Sequence, residues 1–456
     1  MLGLVFACVR PAPSMHRAAL ILAAVFCFLV VMVQPARAAT LLRDPDIEYA
    51  LDQLATPILQ AAGLSPTQVQ ILIVDDRSMN AFVLDGRAIF IHSGLILKLE
   101  TAAQLQAVIA HEAAHIANGH ISRRLTNMRR SQNALAFGMA VSALAAASGN
   151  ADAATGLALG STSAAQRSFL AHTRAEESAA DQSGVRFMIR AGVNPQGAIE
   201  VQEIFRGQEA LSVGRQDPYA QSHPLNADRL RTLRALVAAN PAASRNAESA
   251  DYWFTRAQGK LSAFSQAPSW TLRRVRNDDS LVGSLRRAVA YHRQPDARRA
   301  IAEIDQLVAA HPNDPFLHEL RGQILLESRQ FGAAVTAYGR AVDLAPNNAL
   351  ILGGYGRALL AVNTADANAR ALRALEKARD RDGQDARVLR DLGQAYARAG
   401  DAGRASLAQA ERFALLGRME DAALHAQRAA DQLPRGSASW QRALDVLSAA
   451  EEIQRR

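Results

Sequence analysis

Two histidines four residues apart bracket a glutamate in the run His111-Glu112-Ala113-Ala114-His115. On a helix a step of four residues turns the chain through about 400°, so both imidazoles leave one face about one turn apart. That spacing lets both chelate a single ion, with Glu112 beside them to take a proton from a water the ion has acidified. The chemistry is hydrolysis, and it requires a third protein ligand and one open position. The run Arg174-Ala175-Glu176-Glu177-Ser178-Ala179-Ala180-Asp181 offers the acids. Glu177 completes a His₂Glu set, and Asp181, one turn on, is placed to orient His111 or His115 through the second ring nitrogen. Glu176 competes for the ligand role and is read as an ordinary exposed carboxylate. Ala113 and Ala114 leave room for a closely packed partner helix, which argues against a surface helix with two solvated histidines. The ligand types point to one Zn²⁺ per chain, although His₂Glu also accepts cobalt or manganese.

These residues need elements to hold them. Asp44 to Ala62 has apolar residues at helical spacing (Ile47, Ala50, Leu51, Leu54, Ile58, Leu59). Val69 to Val74 reads as a strand. Ala81–Leu84 and Arg87–Ile91 flank Asp85-Gly86, the pairing of a hairpin whose turn needs positive φ. Gly94 and Leu95 end the sheet region, and a long helix over Thr101 to Arg123 carries the histidines. His120, five residues from His115, is turned off the ligand face of such a helix and reads as structural. A further helix runs from Phe169 to Ala191 and stops at Gly192. Between them, Ala134 to Ser148 is uncharged and short for a spanning helix, and a small-residue stretch continues to Ala165; the segment 134–165 is readable as a buried helix, a lid or a peripheral membrane contact.

Composition narrows the class. Of 456 residues 49% are apolar, 21% charged and only 5% aromatic, which excludes wholesale disorder and favours small-residue helix packing over a β-sandwich. The charge of +8 is modest and no basic run exceeds Arg-Arg-x-Arg, which argues against nucleic acid as a partner. Residues 1–38 read as a secretory signal peptide. Met15-His16-Arg17 is a basic start, Ala18 to Val33 carry no charge, and Ala36-Arg37-Ala38 is a cleavage site. The competing reading is an uncleaved anchor, and Met15 is a second candidate start. Cleavage would remove three arginines, no acid and both cysteines, Cys8 and Cys27, leaving +5 and no thiol. Any metal must then use His and carboxylate ligands.

The C-terminal half repeats with a period of 34. Gly322, Leu325, Ala334, Tyr338, Ala341 and Pro346 recur one period earlier as Ala288, Tyr291, Ala300, Ile304, Leu307 and Pro312. Weaker echoes follow at Gly356 and Leu359, at Gly393, Tyr396 and Ala405, and at Ala410, Phe413, Ala422, Ala426, Ala429 and Pro434. A small residue where paired helices touch, an aromatic beside it and a proline at the turn resemble tetratricopeptide repeats. The resulting division is 1–38 signal peptide, 39–240 catalytic domain, 241–280 linker with first helices, 281–434 repeats and 435–456 a capping helix. Tyr252, Trp253, Phe254 and Trp270 in the linker read as interface packing.

Taken in order, Asn80-Ala81-Phe82, Ile89-Phe90-Ile91-His92-Ser93-Gly94-Leu95, His111-Glu112-x-x-His115, Glu177-x-x-Ala180-Asp181 and Ser222-His223-Pro224 resemble the zinc peptidase family that includes HtpX-like proteases and prenyl-protein endopeptidases. The resemblance implies an α+β zincin-type metallopeptidase domain, a small edge sheet plus active-site helices, followed by an all-α tetratricopeptide-repeat solenoid. It implies that His111, His115 and Glu177 bind zinc, that Glu112 is the general base, and that substrate adds a strand beside Asn80, Ala81 and Phe82. In a repeat-bearing member the histidine matching His223 can occupy the open zinc position and hold the enzyme inactive, which makes His223 a regulatory fourth ligand or an oxyanion stabiliser. Arg229 fits an arginine that follows this motif. Ala114 departs from the glycine that family members commonly have there. The implied setting is the periplasm of a Gram-negative bacterium, with unfolded or stalled proteins as substrates and outer-membrane assembly machinery met through the repeats. An assembly chaperone or scaffold with a largely latent site is the alternative, and an integral membrane protease would require 134–165 to span.

Overall fold

The structure, a computed structural model, describes residues 41–84, 86–123, 174–211, 215–224, 227–241, 245 and 247–454. The expected signal peptide and the 134–165 segment lie outside them. Among the described residues no helix is long and apolar enough to cross a membrane.

The chain enters through β1 (Leu41–Leu42) and α1 (Pro45–Ala61). Asp44 starts this helix. Its carboxylate accepts from the Asp46 and Ile47 amides at 3.0 Å each, and Pro45 fills the first position, where no donor is needed. The helix buries the apolar stripe that predicted it, from Ile47 to Leu59. Three more strands follow: β2 (Gln70–Val74), β3 (Ala81–Val83) and β4 (Ala88–His92). The sheet order is β1-β2-β4-β3. β3 and β4 are antiparallel, Ala81 opposite Ile91 and Val83 opposite Ile89, as expected about Asp85-Gly86. β2 runs parallel to β4, from Gln70 beside Ala88 to Val74 beside His92. β3 is therefore an edge strand. Chain direction changes sharply at α2 (Ser93–Lys98), where a Cβ on Gly94 would stand 2.0 Å from the Arg77 carbonyl oxygen.

Helix α3 (Ala102–Ala117) is capped by Thr101, whose hydroxyl accepts from the Gln104 amide at 3.2 Å. It is shorter than the expected Thr101–Arg123 helix. The helix ends at Asn118, and Gly119 takes φ +69° before a new helical turn begins at His120. The described part of the next helix, α4 over 174–191, stops at Gly192 with φ +71°, as its sequence requires. α3 and α4 approach closely because small residues face each other. Ala114 and Ala180 are fully buried together, and a Cβ on Gly184 would lie 3.4 Å from the Ala110 backbone. Three short helices complete this half: α5 (Gln196–Ile204), α6 (Pro218–Ser222) and α7 (Ala227–Ala238).

The segment expected as linker with first helices contains a helix that joins two cores. α8 (Ala247–Ser265) places Phe254, Ala257 and Leu261 in the same apolar core as Leu51, Leu54, Ile91 and Val108. Near its other end Ala263 packs with residues of the first repeat, among them Leu285, Val289 and Ile304. Charges reinforce this seam. Arg256 Nε donates to Asp46 Oδ1 at 2.7 Å and its Nη1 to Asp314 Oδ2 at 2.7 Å. Lys260 Nζ donates to Asp44 at 2.9 Å, and Arg43 reaches Asp382 at 2.6 Å. Trp253 packs edge-on against Tyr49 with ring centroids 5.2 Å apart. Phe254 is buried, as interface packing requires, whereas Trp270 is exposed on α9 (Pro268–Arg274).

The repeats form consecutive helices: α10 (Leu281–Arg293), α11 (Ala297–Ala310), α12 (Pro315–Glu327), α13 (Phe331–Leu344), α14 (Ala349–Val362), α15 (Ala365–Arg381), α16 (Ala386–Arg398), α17 (Ala402–Leu415), α18 (Met419–Gln432) and α19 (Ala438–Gln454). The repeat glycines have a steric cause: a Cβ on Gly322 would lie 2.6 Å from the Tyr338 ring, and one on Gly356 2.5 Å from the Leu375 side chain. One detail differs from the periodicity. Ala410 and Phe413 lie on α17, already the second helix of the preceding unit, so α17 closes one pair and opens the next.

Candidate metal centre

His111 and His115 leave one face of α3, as their spacing requires, and Glu177 meets them from α4. His223 follows α6 directly. One ligand atom from each of these four buried residues can be chosen so that all lie within 4.8 Å of one another. His111 Nε2 lies 3.1 Å from His115 Nε2, 3.2 Å from His223 Nδ1 and 3.2 Å from Glu177 Oε2. Glu177 Oε2 is 3.0 Å from His223 Nδ1, and its Oε1 is 3.3 Å from His115 Nε2.

The outer ring nitrogens decide where the protons go. His111 Nδ1 faces the Asp181 carboxylate at 3.2 Å, so it donates and leaves the Nε2 lone pair pointing inward. His223 Nε2 faces the Ala81 carbonyl oxygen at 3.3 Å, so its Nδ1 lone pair points inward. His115 Nδ1 meets His120 Nδ1 at 3.0 Å and can donate to it. Three nitrogen lone pairs and a carboxylate thus crowd one point. One proton on His111 Nε2 cannot satisfy three acceptors about 3 Å away, whereas a cation at their centre satisfies all four. Ligands at zinc–nitrogen distances in a tetrahedron stand about 3.3 Å apart, close to the separations found here. The residues present fit a zinc ion.

Ionisation follows the same crowding. Burial opposes charge on His111, but Asp181 and Glu177 outweigh it and hold the imidazole up at about 10. Burial drives His115 down to about 3, helped by His111 and His223. Glu177 sits well below the usual carboxylate range: burial pushes it up, but His223, His111 and His115 overcome that. Asp181 is lowered against its burial by His111 and Arg229.

Asp181 orients His111 rather than His115, and is itself gripped by Arg229 from α7, Nε to Oδ2 at 2.7 Å and Nη2 to Oδ1 at 2.9 Å. Arg229 Nη1 also donates to the Pro224 carbonyl at 2.7 Å, tying the His223 loop to the ligand helix. Glu112 is buried beside the cluster, its Oε1 3.4 Å from His223 Nε2. Glu176 corrects the expectation: it is buried, 3% exposed, yet stays outside the ligand group. His120 stays outside the ligand group, as expected, but the break at Gly119 brings it against the outer ring nitrogen of His115. The Asn118-Gly119 pair is a turn signal that could have revealed this. Tyr219 was not singled out by the sequence at all. Its ring lies 4.6 Å from that of His223, and its amide donates to the Met79 carbonyl at 3.1 Å. Of the expected edge residues, Ala81 touches His223, Asn80 accepts from the Ser222 hydroxyl at 3.4 Å, and Phe82 stacks on Phe90.

An HExxH helix joined by a glutamate from the following helix beside an edge strand defines a metallopeptidase. Residues 42–237 match Peptidase family M48, and the site they carry is that of a metalloendopeptidase. It is 25% identical over 414 residues to the β-barrel assembly-enhancing protease of Escherichia coli K12, covering 88% of this chain and 82% of that protein. It is 27% identical over 200 residues to the metalloprotease LoiP of the same strain, 42% of this chain and 72% of that one. Part of it aligns with a tetratricopeptide-repeat protein of Thermus thermophilus, at 17% identity and a TM-score of 0.28, covering 37% of this chain and all of that one.

Proposed function

We propose that the protein is an exported, periplasmic zinc endopeptidase that cleaves unfolded or misassembled proteins in outer-membrane quality control. Its repeats recruit clients or assembly machinery. The observation that carries the reading is the convergence of His111, His115 and Glu177 around a point that Glu112 flanks. The likeness to an assembly-enhancing protease over most of both chains supports the setting.

Zinc bound there would act as a Lewis acid towards water and the substrate carbonyl. Glu112 takes the proton of the attacking water and passes it to the leaving amine. Asp181, held by Arg229, fixes the His111 tautomer, and His120 does so for His115. Substrate binds extended along β3, where backbone hydrogen bonds give affinity with little sequence preference.

A latent state is favoured by one feature. His223 fills the fourth position of the cluster, and the α6 segment that carries it is hydrogen-bonded to Met79, Asn80 and Ala81. The same segment therefore covers both the metal position and the edge where substrate would pair, and one displacement frees both. The test is cleavage of casein or unfolded porin by wild type, Glu112→Gln and His223→Ala, with metal measured in each. Zinc in all three, cleavage lost in the first variant and raised in the second, is expected. Zinc without cleavage in every sample, clients included, would favour the scaffold reading.

A further inference from the structure

The one Arg-Arg-x-Arg run of the chain, Arg273 to Arg276, takes no part in the metal centre or the repeat cores. It lies at the end of α9 and in the turn after it. Thr271 and Val275 are buried and fix this helix to the body, which leaves Trp270, Arg273, Arg274 and Arg276 outside. Trp270 is 36% exposed, and the Arg274 guanidinium lies 5.4 Å from its ring centroid. The three arginines make no ion pair among the described residues, and with Asn277 and Asp278 they line an open hollow. Nearby charge does not cancel them. No acid occurs between Asp251 and Asp278, and the two other cations of that stretch, Arg256 and Lys260, are consumed by Asp44, Asp46 and Asp314. Asp278 is occupied in part by the Ser280 amide, while Asp279 is exposed. Arg286 stands behind the group, its Nε buried and without a hydrogen-bond partner.

Such a surface asks for several anionic groups in a plane, with an amphipathic ring at their level. The geometry points to Trp270, Arg273, Arg274 and Arg276 as a docking surface for an anionic lipid bilayer, the guanidinium groups on headgroup phosphates and the indole at the interface. The exposed indole favours a bilayer over a purely polar polyanion, because its apolar body gains only where acyl chains begin. Docking here would hold the protein at a membrane surface without any spanning helix.

The test is co-sedimentation of the purified protein with phosphatidylcholine vesicles, alone or with about one third phosphatidylglycerol. Binding is expected only with the anionic lipid and should weaken as salt rises. Each arginine contributes about fivefold, so Arg273→Gln, Arg274→Gln and Arg276→Gln together should weaken binding about a hundredfold. The matching triple lysine variant should retain most of it, and Trp270→Ala should lose several-fold. These residues are exposed, so a circular-dichroism check separates lost binding from lost fold. Equal binding to neutral vesicles, undiminished binding by the triple glutamine variant, or capture by poly-glutamate in place of vesicles would each overturn the proposal.

Discussion

The metal centre and the seam around α8 are both buried clusters of ionisable groups, but they are balanced differently. At the seam Arg256 and Lys260 face Asp44, Asp46 and Asp314 at 2.7–2.9 Å across the closest pairs, so each cation is matched, and the one carboxylate in excess is met by water because Asp44 and Asp314 are part-exposed. Burial raises Asp46 while Lys260 and Arg256 pull it back, and Lys260 is raised despite burial because Asp44 and Asp46 hold its proton. At the metal centre the buried carboxylates Glu112, Glu177 and Asp181 outnumber the cations: among the described residues Arg229 pairs with Glu177 and Asp181. The excess is negative, so in the absence of a metal it holds a proton on His111, whose place a divalent cation can take. A buried cluster that closes on itself holds a fold together, and one that does not marks where a ligand belongs.

Four substitutions test that contrast. Glu112→Gln should lower peptide cleavage by about 10²–10⁴-fold with zinc content unchanged, since it removes the proton acceptor and no ligand. Retained cleavage would remove Glu112 from the role of base. Lys260→Met should destabilise the fold by about 3–5 kcal/mol, read from the urea midpoint, because Asp46 then keeps only one buried partner. A shift near zero would show the seam to be ornamental. Asp181→Asn should weaken zinc binding by about 10–100-fold in a chelator competition, and should also lower the urea midpoint of the zinc-free protein because it weakens the buried pair with Arg229. The last prediction concerns Glu319, which burial holds at about 8 against an ordinary 4.5. Its native form binds the proton more tightly than the unfolded chain. Stability from this group is therefore complete below about pH 4.5 and lost as pH rises through about 8. Glu319→Gln should flatten the stability profile in that window, by up to about 5 kcal/mol for the full shift, and an unchanged slope would assign it to other groups.

Much of the centre was legible because its chemistry is local. His111 and His115 share a helix face by spacing alone, and Thr101, Asp44 and Gly192 cap their helices as their types require. Glu177 and Asp181 were reached by asking which acids the His pair still lacks, and His223 through ordered motifs, since nothing local says that they meet. Where the sequence misled, a local rule had been extended too far. Helical periodicity was carried through Asn118-Gly119, which hid the return of His120. Glu176 was judged by residue type, and its burial follows only from how α4 packs. The seam was invisible for a deeper reason: Asp46 and Arg256 stand 210 residues apart, and no periodicity records a pair at that distance.

The two-core course of α8 bears on modularity. A cut anywhere between residues 247 and 265 would strip Phe254, Ala257 and Leu261 from the catalytic half or Ala263 from the first repeat, and would expose apolar surface on whichever side lost them. The chain has a boundary in its chemistry but none at which it can be divided. Either half excised at that point would be prone to aggregate, so the peptidase and its repeats fold and are degraded as one object.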